Sequence, residues 1–136
     1  MTQEEKELLL KDLCARLNYG VKIHIELNCT TPDDIVKLIG IDIENFIYTY
    51  SIGNLNVRTT IFNHLGELTF KPYLRPMSSM TEEERNEWMD ITHAQEWLII
   101  RNLDKAIDWL NAHHFDYRGL IEKGLALEAL EKMYKF

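Results

Sequence analysis

Apolar residues follow two different spacings along this chain, and the change of spacing divides it into two parts. Near the start they recur at helical intervals, at Leu9, Leu10, Leu13, Cys14 and Leu17. Thr2 and Glu5 have the spacing of a capping box, and Gly20 is a typical residue to follow a helix end. The pattern predicts a helix over about residues 3–17, with Cys14 on its apolar side.

After this helix the apolar residues occupy every second position, which is typical of half-buried β-strands. The runs cover Val21 to Leu27, Ile35 to Ile43, Phe46 to Ile52 and Leu55 to Ile61, and a fifth begins at Leu68. Gly40 interrupts the second run, as expected at a β-bulge. The short intervals between runs predict an antiparallel meander rather than βαβ units.

In the last part of the chain the spacing is helical again, and three capping signals predict three helices. These run from Thr81 to about Asp90, from Thr92 to Arg101 and from Asn102 to about His113. Asp116 is the expected cap of a short helical turn that ends at Gly124. The tail from Leu125 is expected to be helical or extended.

The segment from Lys71 to Glu84 connects the two parts. Pro72 and Pro76 fix φ and remove backbone donors, so we expect little regular structure there. We predict an α+β protein with an N-terminal helix, a five-stranded antiparallel small barrel or curved sheet, and a C-terminal helical subdomain. The barrel would have the topology of Sm-like or SH3-like proteins. Residues 1–76 and 77–136 form the two lobes, and they should share one core because so small a sheet buries too little surface alone.

The chain of 136 residues is acidic, with a formal net charge of -7 at pH 7. Residues 1–76 contribute -2 and residues 77–136 contribute -5. Neither lobe has the overall basic charge of a nucleic-acid binder, and acidity disfavours anionic membranes. The apolar runs are too short to span a bilayer, and the first residues are acidic where a secretory signal is basic. We expect a cytoplasmic protein without membrane contact, whose Cys14 and Cys29 are reduced thiols.

No catalytic signature stands out in the sequence. One set of potential metal ligands lies at intervals of three, at Asp90, His93 and Glu96. The helix start expected at Thr92 separates them, so we interpret them as surface residues. Ser78 and Ser79 lack the glycine-framed turn of a nucleophile, and the glycines are scattered rather than gathered into a phosphate loop. We expect neither cofactor nor metal, and a binding protein rather than an enzyme.

Lys71, Tyr73 and Arg75 alternate along an extended segment and should therefore share one face. Two cations beside a tyrosine can contact a phosphate or a nucleotide base. The alternative interpretation is an edge strand whose prolines and charges prevent unwanted pairing.

A second stretch, residues 115–121, gathers the candidate contact residues Asp116, Tyr117 and Arg118. These residues can contact a partner protein. Alternatively they dock the last helix, with Asp116 as an N-cap and Arg118 in an ion pair.

Three stretches carry a resemblance to a known family. They are Leu8 to Lys22, Lys71 to Thr81 and Asp108 to Ile121. Together they resemble a family of short uncharacterised proteins of gut Bacteroidota and their phages and prophages. The family has no assigned activity, so the resemblance transfers no functional residue. It implies a bacterial or phage cytoplasmic setting.

These observations favour a non-enzymatic binding or adaptor protein, as an accessory inhibitor of a host factor, because an acidic helical face can compete for a basic site. One alternative is a nucleic-acid or nucleotide binder that uses the barrel face and the strip formed by Lys71, Tyr73 and Arg75. A further alternative is a metal-dependent hydrolase. We also expect a homodimer through the Val21–Leu27 edge or through the tryptophan-rich helices.

Overall fold

The computed structural model describes residues 2–25, 34–42, 44, 47–52, 55–60, 70–92 and 96–134. Over these ranges the chain is an α+β protein with an N-terminal helix, a six-stranded mixed sheet and C-terminal helices. The predicted fold class is confirmed at this level. Three helices and six strands are labelled below in chain order.

The helix α1 covers Gln3–Arg16 and continues as a 3-10 turn over Leu17–Tyr19. Thr2 Oγ1 accepts a hydrogen bond from the Glu5 amide at 3.1 Å, so the predicted cap is present. Gly20 follows the turn with a φ of 71°, which only glycine adopts without strain. Both ends of the helix therefore lie where the sequence places them.

The rotation of α1 about its axis differs from the prediction. Cys14 is exposed rather than in the core. The buried side chains are Leu9, Asp12, Leu13 and Arg16. Two charged residues occupy inward positions that the hydrophobic pattern assigns to the surface, because partners elsewhere in the chain neutralise them.

The six strands form one sheet in the order β4-β3-β2-β1-β5-β6. Strands β1 to β4 form the predicted antiparallel meander, and β5 returns to pair antiparallel with β1. Their bounds are β1 Lys22–Ile25, β2 Asp34–Asp42, β3 Ile47–Ile52, β4 Leu55–Thr60, β5 Phe70–Leu74 and β6 Leu127–Glu128. The register of β2 shifts between Leu38 and Gly40, so the predicted bulge is confirmed.

The sheet is open, and the predicted small barrel is wrong. Closing a five-stranded barrel requires β5 to pair with β4 as well as with β1. Instead, β6 pairs in parallel with the other edge of β5, with Tyr73 opposite Leu127. The C-terminal tail thus occupies the edge that barrel closure would need. The predicted free edge at Val21–Leu27 is also wrong in its described part, because β1 lies between β2 and β5.

Pro72 does not end β5, although two prolines were expected to limit regular structure in this segment. Pro72 lies opposite Ile23 of β1 and stays in register. On the other side of β5, β6 pairs with Tyr73 and Leu74 and not with Pro72. The proline therefore occupies a position of β5 that β6 does not pair with, where its missing amide is tolerated.

The hydrophobic core lies between α1 and one face of the sheet. It also receives side chains from the C-terminal part, Leu120, Leu125 and Ala126. The remaining members come from α1 and the strands, and they are Leu9, Leu13, Val21, Ile23, Ile25, Val36, Leu38, Tyr48, Tyr50 and Leu74. The core thus contains residues from both predicted lobes.

The C-terminal helices are α2, Glu82–Thr92, and α3, Glu96–Ala112, and a 3-10 turn over Met77–Ser79 precedes them. The predicted helix start at Asn102 is wrong, because this residue lies inside α3. A capping residue starts a helix only where the preceding backbone is non-helical, and here α3 already begins at Glu96. Within the described ranges, no helix has the length and apolar character needed to cross a membrane.

Candidate functional site

Arg75 lies at the point where the sheet meets the C-terminal part. Its amide donates to the His114 carbonyl at 2.7 Å, and its carbonyl accepts from the Asp116 amide at 2.8 Å. These bonds form an isolated parallel bridge between Arg75 and Phe115. The structure therefore joins the two stretches that the sequence singled out, the strip ending at Arg75 and the segment at 115–121.

The Arg75 side chain is held by the Glu84 carboxylate and by the Phe115 ring. Its two terminal nitrogens donate to the two carboxylate oxygens of Glu84 at 2.6 and 2.7 Å. Its guanidinium carbon lies 4.3 Å from the centre of the Phe115 ring, a cation–π distance. The hydrogen bond from Arg75 lowers the pKa of Glu84 to about 2, with further support from Thr81. This paired geometry fixes the first turn of α2 against the end of β5.

Thr81 and Glu84 form the predicted capping box of α2. The Glu84 amide donates to Thr81 Oγ1 at 3.2 Å, and the Thr81 amide donates to Glu84 Oε1 at 3.0 Å. Glu84 thus serves the helix cap and the ion pair at once. The capping signal was visible in the sequence, whereas the bond to Arg75 was not.

The other strip residues, Lys71 and Tyr73, do not join Arg75 in one open contact surface. Tyr73 is buried, and its hydroxyl lies 3.3 Å from His24 Nδ1 on β1. Lys71 is opposite His24 in the register of β1 and β5, near the other end of the strand. Lys71 and Tyr73 lie two residues apart within β5, whereas Arg75 lies beyond the end of this strand, and the three side chains have different surroundings.

Each of the three candidate residues in the 115–121 segment makes an intramolecular contact. Asp116 accepts from the amides of Leu120 and Ile121, both at 2.9 Å, so it caps a turn rather than a helix. The Tyr117 hydroxyl donates to Asn111 Oδ1 at 2.9 Å. Arg118 donates to Asp12 Oδ1 at 2.7 Å. These contacts match the docking interpretation of the segment, with Arg118 in an ion pair.

A buried ionic cluster lies beneath this segment. Asp12 and Arg16 of α1 have fully buried side chains and pair at 2.9 Å. Arg118 adds a second cation to Asp12, and Arg16 Nη2 donates to the Phe115 carbonyl. Sequence reasoning missed Asp12 and Arg16, since charged residues four apart on a helix look like an exposed pair.

His114 follows the end of α3 and has a left-handed backbone conformation, with a φ of 61°. The amide of Phe115 donates to the Leu110 carbonyl and that of His114 to the Asn111 carbonyl, which is a Schellman motif without glycine. The His114 ring stacks on Tyr134 with 3.7 Å between centroids. Burial, with the nearby cations Arg16 and Arg75, lowers the pKa of His114 to about 3, so the ring is neutral at pH 7.

Tyr134 connects the tail to two strands of the sheet. Its hydroxyl accepts from the Lys22 amide of β1 at 2.9 Å and donates to the Tyr73 carbonyl of β5 at 2.8 Å. The side chain therefore bridges backbone groups on two neighbouring strands. Burial raises the pKa of Tyr134 above its usual value, so the hydroxyl keeps the proton that it donates.

A cleft of about 560 Å³ opens between the start of α2 and the tail. We call it the acidic cleft, because its walls carry five carboxylates and two cations. The carboxylates are those of Glu83, Glu84, Glu87, Glu128 and Glu131, and the cations are Arg75 and Lys132. His113 and Tyr134 add ring surfaces to the lining, and Met133 adds apolar surface. A second cavity of about 680 Å³ shares Pro76 and Glu128 and contains Asp116 and Tyr117.

The proposed metal set cannot be assembled from the described residues. Asp90 is exposed on α2, His93 lies outside the described residues, and Glu96 begins a different helix. Within the described ranges, no group of three or more histidine, cysteine or carboxylate residues has a metal-binding arrangement.

Comparison with known proteins identifies no relative of this chain. The chain matches no protein-family model, no curated protein and no solved structure.

Proposed function

We propose that this protein is a non-enzymatic binding protein that takes up a basic segment of a partner protein in the acidic cleft. The observation that carries the proposal is the charge of the cleft walls, five carboxylates against two cations. Because Glu84 already neutralises Arg75, the charged groups that remain in the lining are four carboxylates and Lys132. Such a cavity favours lysine or arginine side chains over neutral or acidic ones.

The cleft combines the two features that hold a guanidinium group in proteins, carboxylates and ring faces. Arg75 in its own wall illustrates this chemistry, since Glu84 grips it through two hydrogen bonds and Phe115 stacks against it. Glu83, Glu128 and Glu131 are exposed and are not in the ion pairs of the described residues, so they are available to a partner. A partner arginine can enter between them and the His113 ring.

The setting of this activity is also part of the proposal. The resemblance to proteins of gut Bacteroidota and their phages supports a bacterial or phage cytoplasmic protein that inhibits a host factor by occupying its basic site. We also propose a homodimer, now through β4, which is one of the two edge strands of the described sheet, with the two-residue strand β6 at the other edge. Leu55 of this strand β4 is 70% exposed. Light scattering over a concentration series tests the dimer, and a constant mass of 16.1 kDa would exclude it.

The direct test is calorimetric titration with an arginine-rich peptide at low salt, beside a glutamate-rich peptide of the same length. The variant Glu83→Gln, Glu128→Gln, Glu131→Gln removes three cleft charges. The matched control is Glu4→Gln, Asp104→Asn, Asp108→Asn, which removes three exposed charges elsewhere. We expect binding of the basic peptide alone, weakened about tenfold or more in the cleft variant and little in the control. Equal weakening in both variants, or no binding, would refute the proposal.

A further inference from the structure

The face of the sheet opposite α1 is basic, although the whole chain is acidic. Residues directly opposite in an antiparallel ladder lie on the same face, and neighbours along a strand alternate. The face toward α1 holds the apolar core. The register places the following residues on the other face: Lys22, His24, Ile35, Lys37, Gly40, Asp42, Ile47, Thr49, Ser51, Asn56, Arg58, Lys71 and Tyr73. We call this surface the basic face.

Three cations of the basic face lie on one diagonal. Lys71 on β5 lies opposite His24 on β1. Two residues along β1, Lys22 lies opposite Lys37 on β2. Lys37 in turn lies opposite Ser51 on β3, and two residues along β3, Thr49 lies opposite Arg58 on β4. Strand spacing and rise per residue give steps of about 12 Å between their α-carbons. The three positions therefore form an evenly spaced row across four strand intervals.

The surroundings of the row leave its charges open to a ligand. Lys37 and Arg58 are exposed and Lys71 is half-buried, and within the described residues none of the three forms an ion pair. The Lys37 stem passes over Gly20, where a Cβ would lie 3.3 Å from Lys37 Cε.

Small and hydroxyl-bearing residues lie between the cations. Gly40, Thr49 and Ser51 separate Lys37 from Arg58 in the register. Hydroxyl groups and cations together are the usual protein contacts to phosphate oxygens. Asp42 is the carboxylate that the register of β2 and β3 puts on this face, and it lies beyond Gly40 at the end of β2.

We propose that the basic face binds the phosphate backbone of duplex nucleic acid without reading its bases. A row of evenly spaced cations suits a regular polyanion better than an irregular acidic peptide. Single strands are normally held by stacking on exposed aromatic rings. On the described part of this face the aromatic residue is Tyr73, which is buried. The net charge of -7 opposes the approach of a polyanion, so the binding is in the weak, sequence-independent range of about 10⁻⁴ to 10⁻⁶ M.

The experiment is fluorescence anisotropy with a labelled duplex of about 20 base pairs in low salt, using two unrelated sequences. We expect equal affinity for both sequences and a slope of log K against log salt of about -2.7, for three phosphate contacts. The variant Lys37→Gln, Arg58→Gln, Lys71→Gln should lose the binding. The control Lys11→Gln, Lys105→Gln, Lys123→Gln makes the same change in net charge at exposed positions and should retain it.

Amide chemical-shift mapping of the unaltered protein with the same duplex provides a readout that does not depend on how the variants fold. Shifts concentrated in β2, β3 and β4 support the proposal. Shifts confined to α2 and the tail overturn it, as does equal weakening by the control variant. Tighter binding of a single strand of the same length would show that the basic face does not prefer a duplex. Binding of polyglutamate as tight as that of the duplex would show that it does not prefer phosphate.

Discussion

Two regions of this molecule are held together by different physics. Strands β1 to β4 follow a simple alternation, with apolar side chains such as Ile23, Val36 and Leu38 buried against α1. The junction of β5, β6 and the C-terminal part relies instead on polar groups, chiefly the buried Asp12 and Arg16, the half-buried Tyr134, and the pair of half-buried Arg75 with buried Glu84. We call this second region the polar junction.

The difference has a consequence for how each region responds to mutation. Apolar burial is distributed over many side chains on the inner face of the sheet. A polar substitution on the exposed face therefore changes the free energy of unfolding little. A buried polar group is stabilising only while its partners are present, and removing one partner leaves the other desolvated and unpaired. The polar junction should therefore show larger effects from small chemical changes than the exposed side of the sheet does.

The largest expected effect follows from Asp12→Asn. This change removes the carboxylate that neutralises both Arg16 and Arg118, and the Arg16 side chain is fully buried. We expect a loss of about 3–5 kcal/mol in the free energy of unfolding, measured by urea denaturation. Glu4→Gln on the exposed side of α1 is the control and should stay within about 0.5 kcal/mol. A loss below about 1 kcal/mol for Asp12→Asn would show that the buried cluster is not a stabilising element.

Acidification is expected to weaken the polar junction in two stages. The folded-state pKa of His114 is about 3, below its ordinary 6.5, so the unfolded chain takes up the proton first and stability falls as pH drops from about 6.5. The folded-state pKa of Glu84 is about 2 against 4.5, so its contribution is present above pH 4.5 and is lost as pH falls towards 2. Urea midpoints measured at several pH values give the profile.

His114→Asn separates the two stages of this pH profile. Asparagine tolerates the left-handed conformation and does not titrate. Stability should then become nearly independent of pH between about 6.5 and 4.5, while the fall below 4.5 remains. An unchanged slope above pH 4.5 would assign the first stage to another group.

The next effect in size is that of Tyr134→Phe. Without the hydroxyl, the Lys22 amide and the Tyr73 carbonyl lose the group that bridges them. We expect a loss of about 1–3 kcal/mol in the free energy of unfolding. Tyr19→Phe deletes the hydroxyl of a tyrosine that is 38% exposed, and it should have almost no effect. Equal losses in the two variants would show that the bridge made by the Tyr134 hydroxyl does not stabilise the fold.

The smallest expected effect is on the exposed side of the sheet. Arg58→Gln changes an exposed residue of β4, and its effect on the free energy of unfolding should lie within about 0.5 kcal/mol. Thermal denaturation beside the unaltered chain measures it. A loss above about 1 kcal/mol would mean that the exposed side of the sheet also depends on specific polar contacts.

The sequence predicted local structure better than it predicted pairing. Periodicity and caps located α1, the four-stranded meander and the bulge at Gly40, because these features depend on neighbouring residues. The pairing of β6 with β5 depends on residues more than fifty positions apart, and no local pattern encodes it. The inward positions of Asp12 and Arg16 were missed for the same reason, since Arg118 and Phe115 lie about a hundred residues away.

The candidate site was predicted only in part. Arg75 and the 115–121 segment were singled out from the sequence, and the structure brings them together. The acidic cleft was not foreseen as a cavity, because its walls come from α2 and from a tail whose path was left open. The excess of acid in residues 77–136 was the available signal for it.

We infer that the polar junction makes the sheet and the C-terminal helices one cooperative unit. All three tryptophans lie in α2 and α3, so their fluorescence reports on the helices, while amide exchange in β2 and β3 reports on the sheet. Both signals, followed through one urea titration, should change at the same midpoint, and Asp12→Asn should lower both midpoints equally. A fluorescence transition at lower urea than the loss of amide protection in the sheet would contradict the claim.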